Sequence, residues 1–267
     1  MYHLTLEKIM EHTLQRIERI APTADGTRVS ASEPLRWLSL GWQDMRRSPV
    51  ASLSYGVIFA AIGFLILNIA SGKPYLLLGA TSGFFLLAPL LAAGLYELSR
   101  RHAVGDLATF RDSFGGWRRN GQSLADFGFV LTFITLCWEM VSAQLFALSY
   151  RGEHIAEVTN FVSSMLLSGT NTQFMVTYSV VGGIVAAVVF ALAAVTVPML
   201  VDREVDVVTA MHASLKAVAS NPGAMIVWAG LIVALVAVGY ATMMIGIVLV
   251  MPLLGHATWH AYKALVK

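Results

Sequence analysis

The sequence predicts an all-α fold, a polytopic transmembrane helical bundle. Long apolar runs between Pro49 and Gly255, scarce charge, and a one-sided distribution of Lys and Arg all point there. Hydrophobic residues make up 57% of the 267 and charged residues 13%. A soluble surface of this size needs more charge than that, so lipid is the solvent for most of the chain. The length suits one membrane unit with short additions. The formal net charge of +2 selects no acidic partner, which leaves the distribution of charge as the informative quantity. Cys137 is the single cysteine and sits in an apolar run, which excludes disulfides within one chain. No secretory signal is expected, because the first apolar run is too long and lacks a small-residue cleavage site.

Residues 1–33 read as an amphipathic helix and a linker. Leu6, Met10, Leu14 and Ile17 share one stripe of that helix, and APTADGTRVSASE follows without pattern. The membrane domain is expected over 34–267. It opens with an amphipathic helix over 34–47, with Pro34 in its first turn and Leu35, Leu38, Trp42 and Met45 on one face. Trp37 and Trp42 suit the headgroup level. Spans are expected over 49–70 and 74–98, each near the ~20 apolar residues that a bilayer requires. Pro89 predicts a kink in the second. The connector with Phe110, Phe114, Trp117, Arg118 and Arg119 is expected along the interface. Spans follow over 123–150 and 174–201, with a short helical stretch near 161–167 in the loop between them. A further amphipathic helix over 202–221 carries Val205, Val208, Met211 and Leu215 on one stripe.

Residues 223–255 are apolar throughout, long enough for one very long helix or two short ones. An internal repeat favours two. SPVASLSYGVIF parallels NPGAMIVWAGLI, setting Pro49 over Pro222 and Tyr55 over Trp228. FFLLAPLLAAGLYELSRR parallels GIVLVMPLLGHATWHAYK, setting Pro89 over Pro252 and Tyr96 over Trp259. The last two spans are therefore expected over about 223–240 and 244–263, giving six spans as three hairpins. With the N-terminus inside, sixteen of the eighteen basic residues fall on the inner side, leaving only Lys73 and Arg151 outside. That asymmetry is the positive-inside bias, and it places both termini in the cytoplasm.

The strings WQDMRRSPVASLSYGVIFA, FLLAPLLAAGLYELSRR and MPLLGHATWHAY resemble a bacterial family of predicted six-span integral membrane proteins, known only as a domain of unknown function. The resemblance runs from about residue 34 to the end. It implies the fold and a bacterial inner-membrane location. A loose family label associated with cytochrome oxidase adds a pull toward respiratory membranes. It implies no catalytic or binding residue.

Among ionisable residues, Glu139 is the leading functional candidate. At 1.5 Å per residue it lies about 24 Å above Ser123, where a charge is costly and a proton or cation site is the functional alternative to simple helix packing. Asp126, Glu97 and Asp202 fall near the inner interface, where helix-end charges are ordinary. His256 and His260 are spaced i and i+4 on one helix and are the candidates for metal or haem. Ala257 stands where a metalloprotease helix needs glutamate, and interfacial anchoring is the plainer reading. The methionines Met243, Met244 and Met251 form no thioether repeat, so copper is discounted. No phosphate loop, nucleophile elbow or CxxC occurs, and nothing resembles a nucleic-acid surface. No cofactor is expected.

These observations favour a non-catalytic accessory or scaffold subunit of a larger inner-membrane complex. Its expected partners are membrane lipids and either another membrane protein or further copies of itself. Leu6, Met10, Leu14, Ile17, Trp37 and Trp42 are the interface candidates. The alternative is a small transporter or channel built on the parallel duplicated hairpin.

Overall fold

A computed structural model describes residues 27–70, 74–149 and 172–266. All regular structure in them is helical. The helices are α1 (Glu33–Arg47), α2 (Pro49–Ile69), α3 (Pro74–Leu91), α4 (Ala93–Ala103), α5 (Phe110–Ser113), α6 (Gly115–Arg119), α7 (Gly121–Ser149), α8 (Thr172–Ala193), α9 (Thr196–Asp202), α10 (Val207–Ser220), α11 (Pro222–Ala241) and α12 (Ile247–Leu265). Five stretches are long and apolar enough to cross a membrane: Pro49–Ile69, Gly79–Ala103, Gly121–Leu148, Thr172–Asp202 and Pro222–Ala241. The long apolar run near the end is two helices. They are joined by a tight turn in which Met243 and Met244 take φ of 53° and 69°. The helix proposed for residues 3–20 and the stretch 161–167 lie outside the described residues.

The internal repeat has a third copy. Three helix-to-span junctions break at one residue with the same backbone: Ser48 (φ −131°, ψ 64°), Asn120 (−134°, 52°) and Asn221 (−132°, 50°). Pro49 and Pro222 follow two of them. Proline drives the preceding residue out of the α region and breaks the ladder there. Gly121 follows the third. Seven residues beyond each junction stands a buried aromatic residue: Tyr55, Phe127 and Trp228 (48 to 55, 120 to 127, 221 to 228). The second helix of each copy carries a proline followed by two large apolar residues: Pro89-Leu-Leu, Pro198-Met-Leu and Pro252-Leu-Leu. In the first two copies this helix is interrupted near its proline, at Ala92 and at Ala194–Val195. The middle copy escapes a reading of sequence because its first helix is reduced to the short pieces α5 and α6.

The copies pack cyclically. The second helix of each lies against the first elements of the next: α3 on α7, α8 and α9 on α10, and α12 on α1 and α2. The junction residues close the same ring. Ser48 Oγ donates to Ala108 O (2.9 Å), at the entry to the second copy. Asn120 Nδ2 donates to Val205 O (2.7 Å), at the entry to the third. Val29 N, at the entry to the first, donates to Asn221 Oδ1 (2.8 Å). Inside the ring α4, α9 and the second half of α12 pack on one another and hold the core, including Leu95, Leu98, Val197, Met199, Leu200, Trp259 and Tyr262.

Small residues set the contacts. A methyl on Gly41 would stand 2.6 Å from Ala257 N, and one on Gly56 would overlap the Val248 carbonyl. The apolar stripes of the amphipathic helices divide between the core and the outside, Leu38, Val205 and Met211 packing against the core. On α1 the buried face is Pro34, Trp37, Gly41, Asp44 and Met45, while Leu35 and Trp42 point outward. On α10 it is Ala210, Ala213, Ser214 and Ala217, while Val208 and Leu215 are exposed. At a lipid interface apolarity does not distinguish outside from inside. Small size does, because it lets backbones approach.

Candidate functional site

The polar interior is concentrated in two places. The first is the ring at the end of the bundle that carries Arg100, Arg101, Arg118 and Arg119. Asp44 on α1 is buried, and His260 Nε2 on α12 meets its Oδ2 at 2.8 Å. His102 Nδ1 on α4 stands 3.5 Å from Oδ1, an electrostatic contact too long for a strong hydrogen bond. Burial alone raises Asp44, but the surrounding His102, His260 and Ser99 groups outweigh it and hold its carboxyl well below the usual carboxylate range. His102 Nε2 reaches Ser48 Oγ at 2.9 Å. His256 is fully buried between two hydroxyls, with Ser52 Oγ at Nε2 (2.9 Å) and Ser99 Oγ at Nδ1 (2.7 Å). The cluster ties α1, the start of α2, α4 and α12 into one block.

Beside it, Glu97 on α4 is 0% exposed. Arg100 grips it through Nε (2.7 Å) and Nη2 (2.8 Å), Arg101 Nε donates at 3.0 Å, and Arg119 Nη1 lies 3.5 Å away. Arg119 also donates to Val201 O (2.9 Å), connecting α6 to the end of α9. Asp202 accepts from Tyr262 Oη (2.8 Å) and Lys263 Nζ (3.2 Å), binding α9 to α12. A buried carboxylate held by this many donors is anchored.

The second place is around Glu139, on α7 beyond its midpoint. Its carboxyl fills the notch left by Gly79 and Gly83 on α3: a methyl on Gly79 would overlap Oε2, and one on Gly83 would stand 3.0 Å from Oε1. Trp138 beside it is buried and donates from Nε1 to Ser82 Oγ (2.6 Å). Ser142 and the Tyr178 phenol on α8 pair at 3.1 Å.

The residues singled out in the sequence fall as follows. Glu139 lies in an inter-helix contact between the first two copies. Asp126 is exposed and receives Gln122 Nε2 (2.9 Å). His256 and His260 share a helix but separate in role, one held by two serines and the other by Asp44. Among the described residues no three His, Cys, Asp or Glu side chains are grouped to hold a metal. Trp42 is exposed, as a headgroup anchor would be. Trp37 is not: it is 1% exposed and meets Trp228 edge-on at 5.7 Å, because the close approach at Gly41 turns its face of α1 inward. Leu6, Met10, Leu14 and Ile17 lie outside the described residues.

Sequence reasoning weighed His102 only as a distant partner for a haem and missed Asp44, Ser99 and Ser52; Ser99 and His102 share α4 at i and i+3, but no local spacing joins them to Asp44 on α1 or Ser52 on α2. Glu97 had a usable signal, since Arg100 and Arg101 follow it at i+3 and i+4.

Residues 76–202 match the model of a family described as predicted integral membrane protein (DUF2189). No curated protein and no solved structure matches the chain. The matched stretch runs from within α3 to the end of α9, so it takes in the Glu139 notch and the buried Glu97. Apolar helices of spanning length, polar groups collected inside the bundle, and this match agree with the resemblance read from the sequence: the chain is an integral membrane protein whose residues 76–202 are similar to the DUF2189 family.

Proposed function

We propose that this protein is a non-catalytic accessory or scaffold subunit, docking through its basic end to a larger assembly in the bacterial inner membrane, with both termini cytoplasmic. One observation carries the reading. The connector after α4 presents Val104 (68% exposed) and Leu107 (85% exposed), with Phe114 on the following turns, beside the exposed Arg111 and Arg118. Large apolar side chains on an irregular connector beyond a span suit a protein contact rimmed by positive charge. The buried layer beneath supports this, because Asp44, Glu97 and Asp202 are all engaged by neighbouring helices. Such a layer makes a rigid platform.

The test is photo-crosslinking from position 107 in native membranes, followed by purification in mild detergent. A stoichiometric membrane-protein adduct, lost in Leu107→Asp while the protein remains abundant, is the expected result. Lipid adducts alone would overturn the docking role.

A small transporter is the second reading, favoured by the parallel repeat with proline-interrupted helices and by a carboxyl at bilayer depth. Reconstitution in liposomes decides it: a proton or solute flux abolished by Glu139→Gln would replace the scaffold reading.

A further inference from the structure

Glu139 has no counterpart in the other two copies. Nineteen residues beyond the junctions, where the middle copy has Glu139, the first has Leu67 and the third has Tyr240 (120 to 139, 48 to 67, 221 to 240). The same fold is thus built twice without a carboxyl there, and packing does not demand one. The notch is nonetheless cut to receive it, with Gly79 and Gly83 opposite its two oxygens.

Among the described residues, none of the groups facing it carries positive charge. α3 contributes glycine and Ser82; α7 itself contributes Thr135, whose hydroxyl oxygen is buried without a partner, and Ser142. The one titratable group facing it from α8 is the neutral phenol of Tyr178. Among the described residues no Lys, Arg or His occurs in α2, α3, α7, α8 or α11. An ionised carboxylate against glycine Cα–H groups at this depth meets a large desolvation cost, which the neutral acid escapes.

We propose that Glu139 is a proton-binding site within the bilayer: its carboxyl holds a proton near neutral pH in the Gly79–Gly83 notch and reacts with apolar carbodiimides. The site opens to lipid on the side where Leu136 and Met140 are exposed, which gives such a reagent its route. In the reaction the acid proton passes to one carbodiimide nitrogen while a carboxyl oxygen bonds the central carbon. The acyl group then migrates to nitrogen, giving a stable N-acylurea with no leaving group. This property lies beyond the docking role, at the opposite end of the bundle from Leu107.

The experiment treats the full chain in lipid nanodiscs with dicyclohexylcarbodiimide and maps adducts by peptide mass spectrometry. The expected result is one adduct on Glu139 between about pH 6 and about pH 8, falling about tenfold per pH unit once the acid form is titrated away. Glu139→Gln, which preserves the neutral shape, should remove the adduct and leave the elution profile unchanged. A folded protein unlabelled at Glu139 across that range overturns the proposal. Equal labelling by a cationic water-soluble carbodiimide also overturns it, because the carboxyl would then be wet. So does labelling that appears only after Lys73→Gln or Arg151→Gln, which would reveal an ion pair with an outer-loop residue.

Discussion

At the scale of single residues, the buried carboxylates act as fasteners. Glu97→Ala removes the buried carboxylate that holds the half-buried Arg100, Arg101 and Arg119 together. A loss of about 3 kcal/mol is expected, read as a lower midpoint of thermal unfolding in detergent. Asp44 brings a pH dependence with a definite sign. Its carboxyl is depressed in the folded state relative to the ordinary value of 3.8, so the folded protein binds its proton less readily than the unfolded chain. The stability it contributes is fully present above about pH 4 and is lost as pH falls further, through the folded value. Asp44→Asn should flatten that acid limb of the unfolding midpoint while lowering the plateau at neutral pH. An unchanged acid limb would mean that another carboxylate controls it. These residues were poorly legible in the sequence. Helix periodicity reports which side chains share a helix face, but Asp44, His102 and His256 meet only through tertiary packing.

At the scale of elements, the apolar helices could be read from composition, but their orientations could not. Leu35, Val208 and Leu215 belong to stripes that would face the core of a soluble protein, yet here they are exposed; small residues take the buried side of α10, and on α1 Gly41 lets Trp37 and Met45 turn inward. Hydrophobicity says where lipid is and loses its meaning as a guide to the protein interior. The junction prolines were better guides, because Pro49 and Pro222 act on local geometry that holds in any solvent. The turn between α11 and α12 makes its own forecast. Met243 sits at φ 53° and is 84% exposed, so its side chain makes little packing to offset the strain of a left-handed backbone. Met243→Gly should raise stability by up to about 1 kcal/mol, the relieved backbone strain exceeding the chain entropy that glycine adds. Met244 takes a similar φ but packs with Phe59, Ile247 and Met251, so the same change there should destabilise.

At the scale of the whole molecule, reporter fusions test the orientation. Fusions at Lys73 and Arg151 should read outside, and those at Phe110, Met211 and Lys267 inside. An outside reading at Lys267 would show that α12 does not return to the basic side. Two of the three copies were visible in the sequence because both begin with a full amphipathic helix and a proline. The middle one was hidden by its broken first helix and by glycine in place of the proline. The ring closure was not legible at all, since it rests on α12 returning to α1 and α2 and on Val29 meeting Asn221, 192 residues away.

Cyclic packing gives each interface the same sense, head of one copy to tail of the next, which is the arrangement of a closed heterologous trimer. Covalent continuity between copies is then dispensable in principle: the loops serve as tethers, while recognition resides in the helix surfaces. The connector at Gly105 is the place to sever it, since that glycine has φ +85° and no atom within 4 Å of where a Cβ would sit. Fragments 1–105 and 106–267, co-expressed as separate polypeptides, should find each other in the membrane and co-purify as one particle. Expressed alone, each would carry an uncovered helix face. Its accelerated proteolysis in cells would mark the missing neighbour.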